Sequence, residues 1–297
     1  MKTITCFIVA WTTSSFSQAA LYSDVISFGD SWSDTGNMYS AHGVPYAPFY
    51  DGNFSDGLTW TEQLAVQLGL TPTIESELGG FNYAWGGATA LEGNSLPIPD
   101  IPPIPSLEDQ VQEHLVDALG TASPTALYTI WAGVNDKQTD ASTANAIASA
   151  TMVASQTQNL ITAGAQHILV LNQPFSAGSY NTAFNSTLDS LLTAISGNVM
   201  LLDMQALYTD VEANFGSYGL SSFTEHCGAT ADTPYGGGTL SENCDTLFRV
   251  DITGHHSAKG NQIIAQAAFN TVVPIPAAAW LFVSAFGGLA AIKKMLA

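Results

Sequence analysis

The sequence predicts an α/β fold, a three-layer αβα sandwich built on a mostly parallel, five-stranded sheet. Short apolar runs of strand length alternate along the chain with amphipathic stretches of helical period, as βαβ units require. Glycine turns at Gly29, Gly87 and Gly133 close three of those runs, at the carboxyl ends where parallel sheets present their ligands. The chain has 297 residues and 46% hydrophobic content, enough for a sizeable core, and no internal repeat.

The first strand is Val25-Ile26-Ser27-Phe28, which stops at Gly29 and is followed by Asp30 and Ser31. Aromatic and turn residues come next (Tyr39, His42, Pro45, Tyr46, Pro48, Phe49, Tyr50 and Phe54), too rich in Gly and Pro for a regular element. From Trp60, the spacing of Trp60, Leu64, Ala65 and Leu68 predicts a helix that Gly69 ends. Residues 81–89 read as a second strand running into the Gly86-Gly87 turn, and a Pro-rich segment spans Pro97 to Pro105.

Ser106 caps a predicted helix reaching Leu119, and residues 126–132 form a third, β-rich strand ending at Gly133-Val134-Asn135-Asp136. A helix over 142–163, a strand over 167–171, a helix over 186–196 and a fifth strand over 199–202 follow. Residues 215–246 read as a loop decorating the single domain, and a last helix follows Asp251-Ile252-Thr253-Gly254-His255-His256.

A hydroxyl attacks a carbonyl only if a base takes its proton and a third group orients that base, so Ser31, a histidine and an acid form a sufficient set. The resulting oxyanion needs donors, and the Ser31 and Gly87 backbone N–H groups and the Asn135 side-chain amide stand at strand ends. Asp30 and Asp34 read as turn acids bonding their own backbone, and Asp136 as a cap rather than a catalyst. His42, His114, His167 and His226 read as surface or loop residues. No Gly-x-Ser-x-Gly elbow, His-Glu-x-x-His pair or phosphate loop occurs.

These stretches together resemble the SGNH or GDSL hydrolase superfamily, whose Ser, Gly, Asn and His blocks occur in that order. Ser31, Gly87, Asn135 and His255 match them, over roughly residues 24 to 270. The segment Phe-Gly-Asp-Ser-x-Ser-Asp-Thr-Gly-Asn is similar to the secreted lecithinase, haemolysin and esterase branch. The resemblance implies an exported serine esterase or lipase with no cofactor. Its implied mechanism runs through an acyl-Ser31 intermediate, with His255 as base and Asp251 orienting it.

The chain departs from the family pattern twice. Trp32 stands where Leu is usual, and Asp251 precedes His255 by one residue more than the family's Asp-x-x-His. His255 is aligned because Gly260 lies five residues on, with His256 as the alternative base. The aromatic residues Tyr46, Phe49 and Tyr50, with Trp32, favour a lipid or other acyl ester over an acetylated polysaccharide. A surface or matrix binding protein that has lost the chemistry is the competing class.

A net charge of -19, from 25 acidic against 6 basic residues, repels a phosphate backbone and argues against nucleic acid as a partner. Residues 1–20 combine Lys2, an apolar stretch from Cys6 to Trp11 and a small-residue site at Ser17-Gln18-Ala19, the layout of a signal peptide, with Thr12 to Ser15 interrupting the apolar region. From Val272 to Ile292 the chain carries no charge, and Lys293 and Lys294 close it. That length spans a bilayer.

The Val273-Pro274-Ile275-Pro276 motif, apolar helix and basic pair resemble the PEP-CTERM sorting signals handled by exosortases; a permanent membrane anchor is the other reading. The expected organisation is a signal peptide over 1–20, a hydrolase domain over 21–271 and a sorting or transmembrane tail over 272–297. The product is a monomer exported to the cell surface or beyond, with a sorting protease as a partner. Cys227 and Cys244 then meet an oxidising compartment, which favours a disulfide over metal binding through His226 and Cys227.

Overall fold

The computed structural model describes residues 21–92, 101–228, 239–240 and 243–273. The signal-peptide reading, and the tail reading from residue 274 onward, therefore lie outside the described residues. Among the described residues no helix is long and apolar enough to cross a membrane.

Strand β1 (Val25–Gly29) is buried along its whole length. It ends at a residue that must be glycine, because a Cβ at Gly29 would stand 2.2 Å from the Trp131 carbonyl oxygen. Helix α1 (Asn37–His42) follows the serine turn. Helix α2 (Trp60–Gln67) starts at a capping box in which Thr59 and Glu62 satisfy each other's backbone N–H groups. Ser106 and Asp109 do the same for helix α3 (Leu107–Asp117).

Strand β2 (Leu127–Trp131) leads into helix α4 (Val134–Thr139). Helix α5 (Thr143–Ala163) is capped by Ser142 and is followed by strand β3 (His167–Leu171). Helix α6 (Ser179–Ala194) begins earlier than the sequence predicts. Its first turns look polar, but Tyr180 and Phe184 are buried at helical spacing and tie them to the core. Strand β4 (Val199–Leu202) and helix α7 (Met204–Ala213) follow.

The sheet order is β1-β2-β3-β4, with all neighbours parallel. Alternation along each strand sorts side chains to two cores. On one face Val25, Leu127, Trp131, Leu169 and Leu171 meet Trp60 and Leu64 of α2. On the other, Ile26, Phe28, Tyr128, Ile130 and Val170 meet α3, α5 and α6 through Val111, Val153 and Phe184. The result is the three-layer sandwich the alternation predicts.

One predicted strand is less regular than expected. Residues 81–85 lie along the free edge of β1, where Ser27 N–H donates to the Phe81 carbonyl, Tyr83 N–H to Ser27 and Trp85 N–H to Gly29. Only Asn82 bridges in strand fashion. Its buried side-chain oxygen accepts from Ala84 N–H at 3.0 Å and pulls the chain out of pleat, so the sheet has four regular strands and an irregular fifth edge.

Residues 215–246 are not wholly loop either. They hold strand β5 (Ser222–His226), which pairs in parallel with strand β6 (Leu247–Arg249) to form a separate two-stranded sheet. Helix α8 (Ala258–Val272) closes the domain and packs its apolar face, including Ile264 and Ala268, into the core that α2 shares.

Candidate active site

After β1 the chain turns at once. The Asp30 carbonyl accepts from Ser33 N–H at 2.9 Å and Asp34 N–H at 3.0 Å, leaving Ser31 half-buried at the apex. Gln110 on α3 anchors the end of β1 by accepting from Gly29 N–H at 2.8 Å and donating to its carbonyl at 2.9 Å. Trp32 turns inward against Trp131, with ring centroids 4.5 Å apart. It is 6% exposed and belongs to the core, so the aromatic wall expected to include it lacks this member.

The segment between β6 and α8 delivers the other two groups. His255 Nε2 lies 2.9 Å from Ser31 Oγ, and His255 Nδ1 lies 2.6 Å from Asp251 Oδ2. With a carboxylate on Nδ1, the neutral ring carries its proton there and Nε2 accepts from the serine hydroxyl. Asp251 Oδ1 accepts from the backbone N–H groups of Thr253, Gly254 and His255, each at 3.0 Å, and from the Thr253 hydroxyl at 2.8 Å.

Burial works against the Asp251 charge, but His255 beside it and these hydrogen bonds outweigh burial and hold the carboxyl well below the usual range. The extra residue between Asp251 and His255 is absorbed by Gly254, whose φ of 100° is open to glycine at little strain. Phe54 stacks on the His255 ring at 5.1 Å, and Phe49 meets it edge-on at 6.4 Å.

His256, the alternative base, points elsewhere. It is 2% exposed, stacks on Trp131 at 5.6 Å and 18°, and shares a hydrogen bond between its Nε2 and the Tyr208 hydroxyl. Burial, helped by the nearby Arg249 charge, lowers its pKa to about 3 and keeps the ring neutral. Ring packing against two tryptophans decided its direction, which no spacing rule reveals.

The three oxyanion-donor candidates come from adjoining strand ends. Gly29 pairs with Trp131 in the sheet, and Trp85 N–H donates to Gly29, so Ser31, Gly87 and Asn135 each lie a few residues beyond one aligned row. The Ser31 and Gly87 N–H groups donate to nothing among the described residues. The Asn135 amide gives one hydrogen to the Ala88 carbonyl at 2.8 Å and has a second to offer.

Of the remaining histidines, His114 was expected at the surface and is instead buried at 4% exposure, boxed by the rings of Phe28, Tyr83 and Tyr128. His167 meets the Asn198 amide, and His226 Nδ1 meets the Gly228 carbonyl. Cys227 and Cys244 are joined as a disulfide, so their sulfurs are not thiolates that could ligate a metal together with Asp56 nearby. The disulfide packs with Val250, Leu247 and Phe49, and Val250 is the residue before Asp251.

Comparison with known proteins makes this parallel, three-layer α/β sandwich an ester-hydrolysing enzyme. The family model of the GDSL-like lipases and acylhydrolases matches residues 25–268, and the chain belongs to that family. It is similar to a phosphatidylcholine-sterol acyltransferase of Aeromonas hydrophila, 27% identical across 88% of this chain and 82% of that protein. It is also similar to Lipase 1 of Photorhabdus luminescens, 31% identical across 56% of this chain but only 24% of the larger protein.

Proposed function

We propose that this chain is an exported serine esterase that cleaves acyl esters, with lipid esters as its preferred class. The observation that carries the reading is the unbroken hydrogen-bonded series Ser31, His255, Asp251. In the first step Ser31 Oγ attacks the ester carbonyl carbon while His255 Nε2 takes the hydroxyl proton. Asp251 holds the ring in its Nδ1–H tautomer and stabilises the imidazolium. The carbonyl oxygen, now negative, accepts from Ser31 N–H, Gly87 N–H and the Asn135 amide.

Collapse of this intermediate breaks the ester C–O bond, and the leaving alcohol takes the proton from Nε2. Water then attacks the acyl-Ser31 carbonyl, giving its proton to the same nitrogen. The second collapse returns that proton to Ser31 Oγ and releases the carboxylic acid.

Lipid preference is supported by Phe49 and Phe54 against the base and by Tyr46 and Tyr50 nearby in sequence, which are 56% and 47% exposed. The names of the two relatives, a phosphatidylcholine-sterol acyltransferase and a lipase, support it further. Exposed tyrosines also stack on sugar rings, which favours an acetylated polysaccharide as the second reading.

The test is full-length protein, wild type and Ser31→Ala, assayed on nitrophenyl esters of graded chain length and on acetylated xylan. Turnover rising with chain length and abolished by Ser31→Ala is expected. Release of acetate from xylan alone would reverse the substrate preference. A wild-type protein that neither turns over an ester nor reacts with a fluorophosphonate is a binding protein, not an enzyme of this mechanism.

The export reading rests on residues 1–20 and the tail. Removal of residues 273–297 should release active enzyme to the medium, whereas a truncated protein that unfolds would place the tail in the core.

A further inference from the structure

Three chain turns must converge for an oxyanion to be held here, and none of them is joined to another by the sheet ladder alone. Asp34 and Asp136 each make such a join, beside the Asn37 amide, which donates to the Asn82 and Ala84 carbonyls at 2.7 and 2.9 Å. Asp34 is fully buried and its Oδ1 accepts from Gly36 N–H and Asn37 N–H, both at 2.8 Å. Its Oδ2 accepts from Met38 N–H at 3.3 Å and, across to the neighbouring turn, from Gly86 N–H at 2.8 Å. Gly86 immediately precedes Gly87, so one carboxylate fixes the serine turn against the glycine turn.

Asp136, also fully buried, makes the second join from the other side. Its Oδ2 accepts from Ala90 N–H at 2.8 Å, and its Oδ1 from Leu91 N–H at 3.1 Å and the Ser149 hydroxyl at 2.9 Å. Asp136 adjoins Asn135, whose amide donates to the Ala88 carbonyl at 2.8 Å. The asparagine turn is thereby tied to the far side of the same glycine turn.

We infer that Asp34 and Asp136 are positioning residues that hold the Gly87 N–H and the Asn135 amide in register with Ser31, so that the oxyanion site is preassembled before substrate arrives. Neither touches a reacting atom. A capping role alone explains the Asp34 bonds to 36–38, but not the bond to Gly86. A cap on α4 likewise does not explain the reach of Asp136 to Ala90 and Leu91. Charged acceptors hold backbone N–H groups about twice as strongly as neutral ones, which suits a site whose donors must not relax toward each other.

The inference rests on the proposed serine-esterase reading, and the test separates the two. Asp34→Asn and Asp136→Asn keep size and one acceptor oxygen but lose one acceptor position. Each variant is assayed per active site, counted by complete fluorophosphonate labelling, for kcat and KM on a short nitrophenyl ester. Affinity is measured for an alkylboronic acid, which forms a tetrahedral adduct on Ser31.

For each variant kcat and boronate affinity should fall together by roughly tenfold or more, with KM within about twofold, because the loss lies in the tetrahedral state. Restoring the carboxylate as Asp136→Glu should recover part of the loss. Variants whose kcat and boronate affinity per labelled site stay within twofold of wild type would overturn the inference and leave the esterase reading standing. Failure of both Asn variants to fold would also overturn it, by making the two acids general supports of the fold. A wild-type protein that never labels would instead remove the esterase reading itself.

Discussion

His255 Nδ1 lies 2.6 Å from Asp251 Oδ2, closer than His255 Nε2 lies to Ser31 Oγ at 2.9 Å. The ring thus bonds the acid on one side and the serine on the other, and the acid's second oxygen is saturated by the loop that carries the histidine. Asp251→Asn should then lower kcat by on the order of 10³–10⁴, with the protein still folded, since the amide favours the wrong tautomer. A loss under tenfold, measured on a nitrophenyl ester, would show that the carboxylate is structural only.

The two adjacent histidines should separate cleanly. His255→Ala is expected to abolish ester turnover with the thermal midpoint little changed. His256→Gln should keep turnover in the folded fraction but weaken the fold by about 1–3 kcal/mol, because it disturbs the partner of a fully buried Tyr208 hydroxyl. An inactive His256→Gln beside an active His255→Ala would reverse the assignment.

His114 is a buried imidazole whose two nitrogens have no partner among the described residues. Burial lowers its pKa, so protonation is disfavoured as well. His114→Leu should raise stability by about 1 kcal/mol in denaturant unfolding and leave turnover unchanged, since an apolar side chain has no unmet hydrogen bond in that box. A loss of stability would mean that ring contacts with Phe28, Tyr83 and Tyr128 outweigh the orphaned nitrogens.

Stability should fall between about pH 4 and 7. Burial raises Asp30 from 3.8 to about 7 and Glu62 from 4.5 to about 7, and it raises Asp34 to about 6. A carboxyl raised in the folded state binds protons there more readily than in the unfolded chain. Its contribution is complete below the unfolded value and is lost as pH rises through the folded one. Thermal midpoints from pH 4 to 8 should decline across that window, and Glu62→Gln, which lies in the α2 cap, should flatten the decline. An unchanged slope in Glu62→Gln would show that this acid is not among the responsible groups.

Much of the fold was legible because its signals are local. The spacing of Trp60, Leu64, Ala65 and Leu68 marks α2, and the Ser106 cap marks the start of α3, within a few residues of sequence. The apolar runs of β1, β2, β3 and β4 mark strands in the same way. Where the sequence misled, a distant partner was responsible. Asn82 is held at the fifth edge by its amide's bond to the Ser33 carbonyl, Tyr180 and Phe184 extend α6 by reaching the core, and the aromatic box around His114 comes from three separate elements.

Linear order alone carries the α/β class and the residue types at the strand ends: a serine after β1, Gly87, Asn135, and an acid and two histidines before α8. Strand, cap and turn chemistry act over a few residues, so linear order is enough to read them. Folding in three dimensions is what turns His255 to Ser31 and His256 to Tyr208, and what lets Asp34 and Asp136 bond turns other than their own. Those outcomes depend on which side of a backbone is filled by Trp32, Trp131 and Phe248, and on parallel register across strands far apart in sequence. Direction and register are set by packing against remote groups, and a linear chain does not carry that information residue by residue.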